Sequence, residues 1–411
     1  MNNVYRTSIL LVFLFIISSF SFIYSENIVK TGLDVIKENP PDIIKGKNIG
    51  LITNYTAVDN EMRSALDVIS NLKDVNIVAA YSPEHGFTGG KMGHIDNSED
   101  KKRGVRIFSL HGNTKIPTKE MLKGVDLLIF DIQDIGVRSY TYISTMKNCM
   151  VAATKNRIPF VVLDRPNPLG GIVVDGPVLD MSFASFIGAG PIAYVHGMTI
   201  GEIALFFNTE LKIKCNLTVV PMVGWERRMD WQDTKLNWIP TSPHIPENDT
   251  PLFYATTGIL GETPLVNIGV GYTLPFKIVG APWIDAELIT QKLNEKNLPG
   301  VSFHPFYFTP FYHHYNKSFC QGFKIIVTNK EVFMPVSTGY HIIETLIKLY
   351  PEDFKIGQLS NNIVKMFNQA NGTDRVLKML LNKDSAEMII KSYEPKLTSF
   401  KEKRKKYLLY Q

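Results

Sequence analysis

Glu84 stands in the run SPEHGFTGG, residues 82–90. Pro83 fixes its own backbone angle, and Gly86 lets the chain turn sharply. A carboxyl group held this way beside His85, at the end of an apolar run, can be fenced by apolar walls. Its pKa then rises and it can serve as a general acid. The same residue could equally be a loop glutamate paired with an arginine. A denser cluster follows in DIQDIGVRSYTY, residues 131–142, with Asp131, Gln133, Asp134, Arg138 and Tyr140. Carboxylates accept from hydroxyls, an amide does both, and a guanidinium grips a carboxylate through two parallel bonds. The mixture suits a polyol such as a sugar, and the arginine suits one that carries a carboxylate. Part of it also fits a helix N-terminus capped by Asp131 or Asp134. Asp164, Arg165 and Asn167 in DRPNPLGG repeat the theme on a stretch that is also a turn signature.

Other chemistries fit worse. There is no HExxH, paired CxxC or EF-hand loop, so no metal site is expected. The glycine-rich pieces GFTGG and PLGG lack the GxGxxG fingerprint, and no Walker loop or GxSxG elbow appears, so no nucleotide or other cofactor is expected. His313 and His314 are adjacent and read as structural or surface residues. The three cysteines, Cys149, Cys215 and Cys320, are too few and too scattered for a disulfide framework, and Cys149 reads as a buried thiol.

These residues need elements that bring them together. Short apolar runs at 48–53, 76–81, 106–110, 126–130, 160–163 and 217–220 predict strands, and most are continuously apolar, as strands buried on both faces of a parallel sheet are. Helical patterns separate them at 62–72, 139–155 and from Thr199, where Glu202 three residues on completes a capping box. Alternation of this kind predicts an α/β fold with a Rossmann-like parallel sheet in residues 26–250. Ligands bind such sheets beyond the carboxyl ends of the strands. Asn54, Glu84, the 131–142 cluster and the 164–171 run all fall there, on one rim. Residues 225–282, rich in Pro, Gly, Thr and Trp, read as a long functional loop. A smaller α/β domain is predicted over 251–411, with helices near 285–294, 340–349 and 358–367 and a strand at 323–328. The basic tail KEKRKKYLLYQ reads as a solvated helix face ending in an apolar anchor.

The N-terminus has its own signature. Arg6 precedes an uncharged, apolar stretch from Ser8 to Ser25, which is the anatomy of a secretory signal peptide cut after Ser25. An uncleaved membrane anchor is the alternative, and only then would a membrane be a partner. Either way the folded part is expected outside the cytoplasm, in the periplasm or the medium. The formal net charge of +5 is too small to argue for nucleic acid.

Several longer motifs occur in order: SPEHGFTGG, DIQDIGVRSYTYI, VVLDRPNPLGG, VDGPVLD, HGMTIGE, TSPHIP, GETPLVNIGVGYTLPF and VGAPWID. Together they resemble the NamZ family of exo-β-N-acetylmuramidases, from about Leu51 to the end of the chain. The resemblance implies a Rossmann-like domain and a smaller C-terminal domain with the active site in a cleft near their junction. It implies an exo-acting glycoside hydrolase that releases terminal β-1,4-linked N-acetylmuramic acid from muropeptides or glycan chain ends. It further implies Glu84 as catalytic acid; Asn54, His85, Asp131, Gln133, Asp134, Arg138, Tyr140, Arg165, Asn167 and His196 of HGMTIGE are the candidate substrate-binding residues. Glu262 is the candidate second carboxylate. Its stretch resembles one that usually reads EGTN followed by GRGT, and Val270 occupies the place of that arginine. The lactyl carboxylate of muramic acid would then fall to Arg138 or Arg165. A non-catalytic wall-binding protein and an exo-glycosidase for another amino sugar are the competing readings.

Overall fold

The computed structural model describes residues 28–411 apart from Lys91, Met92 and His94, so the signal segment assigned to residues 1–25 lies outside the described residues. The first unit runs α1 (Gly32–Glu38), β1 (Asn48–Thr53), α2 (Ala65–Ser70), β2 (Asn76–Ser82), β3 (Ser98–Asp100), β4 (Val105–Ser109), β5 (Leu127–Asp131), α3 (Tyr142–Asn156), β6 (Phe160–Leu163), α4 (Ile200–Glu210) and β7 (Leu217–Val220). Its seven strands are ordered β3-β4-β2-β1-β5-β6-β7. All neighbours pair parallel except β3, which is antiparallel to β4. Every residue of β5, LLIFD, is buried, as expected for a central strand with both faces covered. The chain moves outward on one side through β1, β2 and β4, then returns to β5 and moves out on the other. Direction therefore reverses between β1 and β5, which opens a crevice at their carboxyl ends.

The second unit runs α5 (Thr250–Gly261), β8 (Ile278–Ala281), α6 (Ala286–Asn294), β9 (Val301–Phe308), β10 (Cys320–Val327), α7 (Pro335–Leu349), α8 (Asn361–Asn371), α9 (Arg375–Leu381) and α10 (Ala386–Arg404). Its antiparallel sheet is ordered β8-β10-β9. The molecule is thus a Rossmann-like α/β domain with a smaller α/β domain.

The stretch 225–282 is not a plain loop, because it contains α5 and β8. The α5 sequence TPLFYATTGILG is apolar nearly all round and buried, so tertiary packing overrides its threonines and glycines. The strand β9 was masked in the sequence by Pro305, which an edge strand tolerates. Likewise Pro395 lies inside α10 and disguised it. The capping box at Thr199 and Glu202 is present. The tail, read as ending in an apolar anchor, is held by polar contacts: Tyr410 donates to Asp164 at 2.6 Å, and the Leu409 amide donates to Glu202 at 2.8 Å. One apolar core runs across both units, from Phe130 and Tyr142 to Phe253, Leu260 and Tyr340.

Candidate active site

Glu84 lies two residues past the end of β2, after Pro83. His85 and Gly86 adopt left-handed backbone angles, φ +68° and +76°, and the Gly86 amide closes a turn onto the Pro83 carbonyl at 3.1 Å. The turn aims the Glu84 side chain, 30% exposed, toward the start of α3. Thr141 occupies the N-cap position of α3, yet its hydroxyl caps nothing there. It donates instead to Glu84 Oε2 at 2.7 Å. His111 Nε2 lies 3.9 Å from the other oxygen. Gly89, also left-handed, lets the Tyr55 ring lie where a Cβ would stand, which ties the 82–90 turn to the end of β1.

The floor of the cleft is a hydroxyl network. Tyr140 donates to Thr241 Oγ1 at 2.9 Å, and Tyr142 donates to the Thr241 carbonyl at 2.6 Å. Asn54 Nδ2 donates to the Tyr142 oxygen at 3.2 Å. Ser139 donates to Tyr194 and meets the Tyr254 hydroxyl, each at 3.0 Å. Tyr254 comes from α5, so this network spans the two domains. At the C-terminal end of the same helix lies Glu262. It lines a cavity of about 360 Å³ with His244, Tyr254, Ile268, Val270, Tyr312 and His313 among its walls. Burial pushes the Glu262 carboxyl up to about 7.

The motif after Glu262 shapes the far wall. Asn267 Nδ2 donates to the carbonyls of Val270 and His314, at 3.0 and 2.8 Å. Gly271, at φ +88°, leaves room for the Tyr312 carbonyl, which would stand 2.0 Å from a Cβ. The 310–318 turn is thereby pressed against the cavity, and Tyr312 reaches His244 Nε2 at 2.6 Å.

Several residues expected at the substrate are placed elsewhere. Arg138 is fully buried, donating to the carbonyls of Pro177 and Ile192 and, across the domain boundary, Ala370. Arg165 closes on Asp131 through two bonds, 2.5 and 2.9 Å, and on the Val58 carbonyl. Arg138, Arg165 and Asp131 therefore brace the loops that follow the strands, and the expectation of an arginine clamp is corrected on that ground. Asn167 holds the Met198 carbonyl and the Leu169 amide. His196 is fully buried, accepts from the Met198 amide at Nδ1, and is pushed down to about 3, chiefly by burial and then by Arg404 and Arg138. Gln133 and Asp134 lie under the rim, each with one oxygen that accepts no hydrogen bond among the described residues. Burial pushes Asp134 up to about 7. Glu84 and His85 stand on the turn after β2, Tyr140 and Asn54 belong to the hydroxyl network, and Glu262 lines the cavity at the end of α5.

The sequence reading passed over Thr141, His111, Thr241, His244, Tyr254, Tyr312 and His313. Thr241 and His244 sat in a quoted motif, TSPHIP, and gave a usable signal. Tyr254 lay in a stretch read as loop, and His313 was set aside for its neighbour.

A cavity of about 540 Å³ lies apart, between the 168–173 and 227–233 loops and the 330–335 turn. Several of its charged residues are engaged: Lys330 with Asp230 inside the cavity, and Arg227 and Asp249 with Glu202 and Lys277 outside it. One group of three candidate metal ligands occurs among the described residues, His341, Glu344 and Glu387. Glu344 already holds Lys296 and Lys348 at 2.8 and 2.6 Å, and two ammonium groups oppose a cation. All three cysteines are buried free thiols.

Comparison with known proteins agrees with this architecture. Residues 49–249 match the family described as Exo-beta-N-acetylmuramidase NamZ, N-terminal, and residues 252–410 match its C-terminal counterpart. The chain is 42% identical over 384 residues to the peptidoglycan beta-N-acetylmuramidase NamZ of Bacillus subtilis (strain 168), covering 93% of this chain and 91% of that protein. Two crystal structures of DUF1343 family proteins from Bacteroides fragilis share the fold. One has a TM-score of 0.89 at 39% identity, the other 0.73 at 32%. Each covers 93% of this chain and 99% of its own.

Proposed function

This chain belongs to the NamZ family of exo-β-N-acetylmuramidases, and from that premise we propose that Glu84 and Glu262 are the carboxyl pair of an exo-acting hydrolysis in the cleft between its domains. The enzyme is a glycoside hydrolase that removes terminal N-acetylmuramic acid from peptidoglycan fragments. Glycosidases of the common kind need one carboxyl to protonate the leaving oxygen and a second to activate water or attack the sugar. In the proposed assignment Glu84 is the general acid, oriented by the Thr141 hydroxyl, and Glu262 is its partner. The observation that carries the assignment is the Thr141 bond: a helix N-cap hydroxyl is diverted from its own helix to hold one carboxylate at the cleft. A second reading exchanges the roles. It is favoured by the burial that keeps Glu262 protonated up to about 7, as a general acid should be.

The experiment offers the chain without residues 1–25 aryl glycosides of N-acetylmuramic acid and N-acetylglucosamine side by side. Release of aryl alcohol from the muramic compound alone is expected. Release from neither supports a wall-binding protein, and release mainly from the other sugar supports a different exo-glycosidase. Activity is expected to survive exhaustive chelation.

Export belongs to the same proposal. Residues 1–25 have signal-peptide anatomy, and the substrate lies outside the cytoplasm. Intact-mass measurement on protein from the native host is expected to begin at Glu26, and retention of Met1 in a membrane fraction refutes cleavage.

A further inference from the structure

Muramic acid differs from N-acetylglucosamine by a lactyl ether ending in a carboxylate. An enzyme that selects it needs donors or cations facing that group. Arg138 and Arg165 are closed on protein partners. The described residues that line the Glu262 cavity include no lysine or arginine; they present imidazoles and a phenol. We infer that His244 and His313, with the Tyr312 hydroxyl, form the wall that recognises the lactyl carboxylate of the terminal sugar. The inference rests on the muramidase reading and names the specificity residues of that site.

The wall is built with care that a solvated loop does not need. His244 and Tyr312 join two separate loops at 2.6 Å, their rings stacked at 6.1 Å between centroids. His313 is held in a left-handed backbone, φ +72°, as is His85, a neighbour of His244, at +68°. Strain of this kind in a non-glycine residue persists only where the surroundings impose it, and it gathers at ligand sites. Here the imposing groups are Asn267, on the His314 carbonyl, and Gly271, whose carbonyl accepts from the Phe311 amide at 2.6 Å. In either protonation state an imidazole offers an N–H, and as an imidazolium it adds charge.

Burial and the neighbouring imidazoles depress the histidines of this wall. Burial lowers His244, and the neighbouring His85 and His313 lower it further. Burial lowers His313, and burial with His313 lowers His314. Tyr254 and Glu262 face it from α5. An anion between the imidazoles relieves their repulsion and raises their pKa. The added affinity is therefore complete below the free-state pKa and is lost as pH rises through the bound-state value. Above about 7 Glu262 ionises and repels the same anion, which steepens the loss.

The test measures binding of N-acetylmuramic acid and of its uncharged lactyl amide to the chain without residues 1–25, by calorimetry across pH. The wild type is expected to prefer the acid, most strongly below neutrality. His244→Gln and His313→Gln, which keep hydrogen-bonding capacity and remove the charge, are each expected to cut that preference about 10-fold or more, with amide binding changed by less than about 2-fold. His313 is exposed to the cleft, so its variant folds even if the His244 variant does not. A preference retained in the His313 variant, or an equal loss for acid and amide with unfolding unchanged, overturns the inference and leaves the muramidase reading intact. A wild type that neither binds nor cleaves muramic compounds overturns both.

Discussion

Arg138→Met removes a guanidinium that three carbonyls share. Those carbonyls belong to Pro177, Ile192 and Ala370, at 2.5, 3.0 and 2.6 Å, and the site is fully buried. Burial lowers the guanidinium only to about 10, so it remains charged at neutral pH. A hydrogen bond to a charged group is worth about 1.5–3 kcal/mol, and a buried carbonyl left without a donor costs about 1–3 kcal/mol. Methionine restores part of the apolar packing against Tyr194, so the sum is discounted. The expected destabilisation is about 3–5 kcal/mol, in the upper range for a single substitution. Because one of the three acceptors lies in the second domain, the loss is expected in both domains together. Urea unfolding followed by tryptophan fluorescence measures it. The preference for N-acetylmuramic acid over its lactyl amide is expected to stay unchanged below the unfolding transition. A variant of native stability that loses that preference refutes the bracing role and restores the arginine clamp.

Glu84→Gln keeps an acceptor for Thr141 and is expected to lower hydrolysis of a natural disaccharide about 10²–10⁴-fold, with a smaller loss on an aryl glycoside whose leaving group needs little protonation. If Glu262→Gln shows that pattern and Glu84→Gln falls equally on both substrates, the two roles are exchanged; if neither variant loses activity, the pair is wrong. His196 is held neutral, so its contribution is present above the unfolded pKa near 6.5 and is lost as pH falls toward about 3. Wild-type stability, relative to His196→Gln, is expected to drop by about 1.4 kcal/mol per pH unit across that window, and parallel curves exclude a strained neutral imidazole. Gly271→Ala meets the Tyr312 carbonyl and is expected to impair activity strongly, whereas Gly46→Ala, left-handed with nothing within 4 Å, is expected to cost only about 1–2 kcal/mol of stability. Equal effects in the two glycine variants would show that the 310–318 turn does not shape the site.

Local chemistry alone determined much of this protein. Uninterrupted apolar runs such as LLIFD specify central parallel strands, because both of their faces must be covered. The polar runs after those strands had to lie on one rim, since parallel strands end on the same side. That reasoning made Glu84 a candidate, and the Thr199 capping box needed no more than its own four residues. What the sequence could not decide is which polar groups on the rim face the ligand and which face each other. Arg138, Arg165 and Asp131 have the chemistry of ligand-binding groups. Their partners, Ala370, Val58 and each other, are remote in sequence, and only the packed chain shows that these groups are bonded to protein. The converse holds for His244, Tyr254 and Tyr312. They come from two domains and three segments, and meet only because α5 is buried in the core that runs across both units. Burial is a property of the assembled core, so the shift that keeps Glu262 protonated toward neutrality could arise only there.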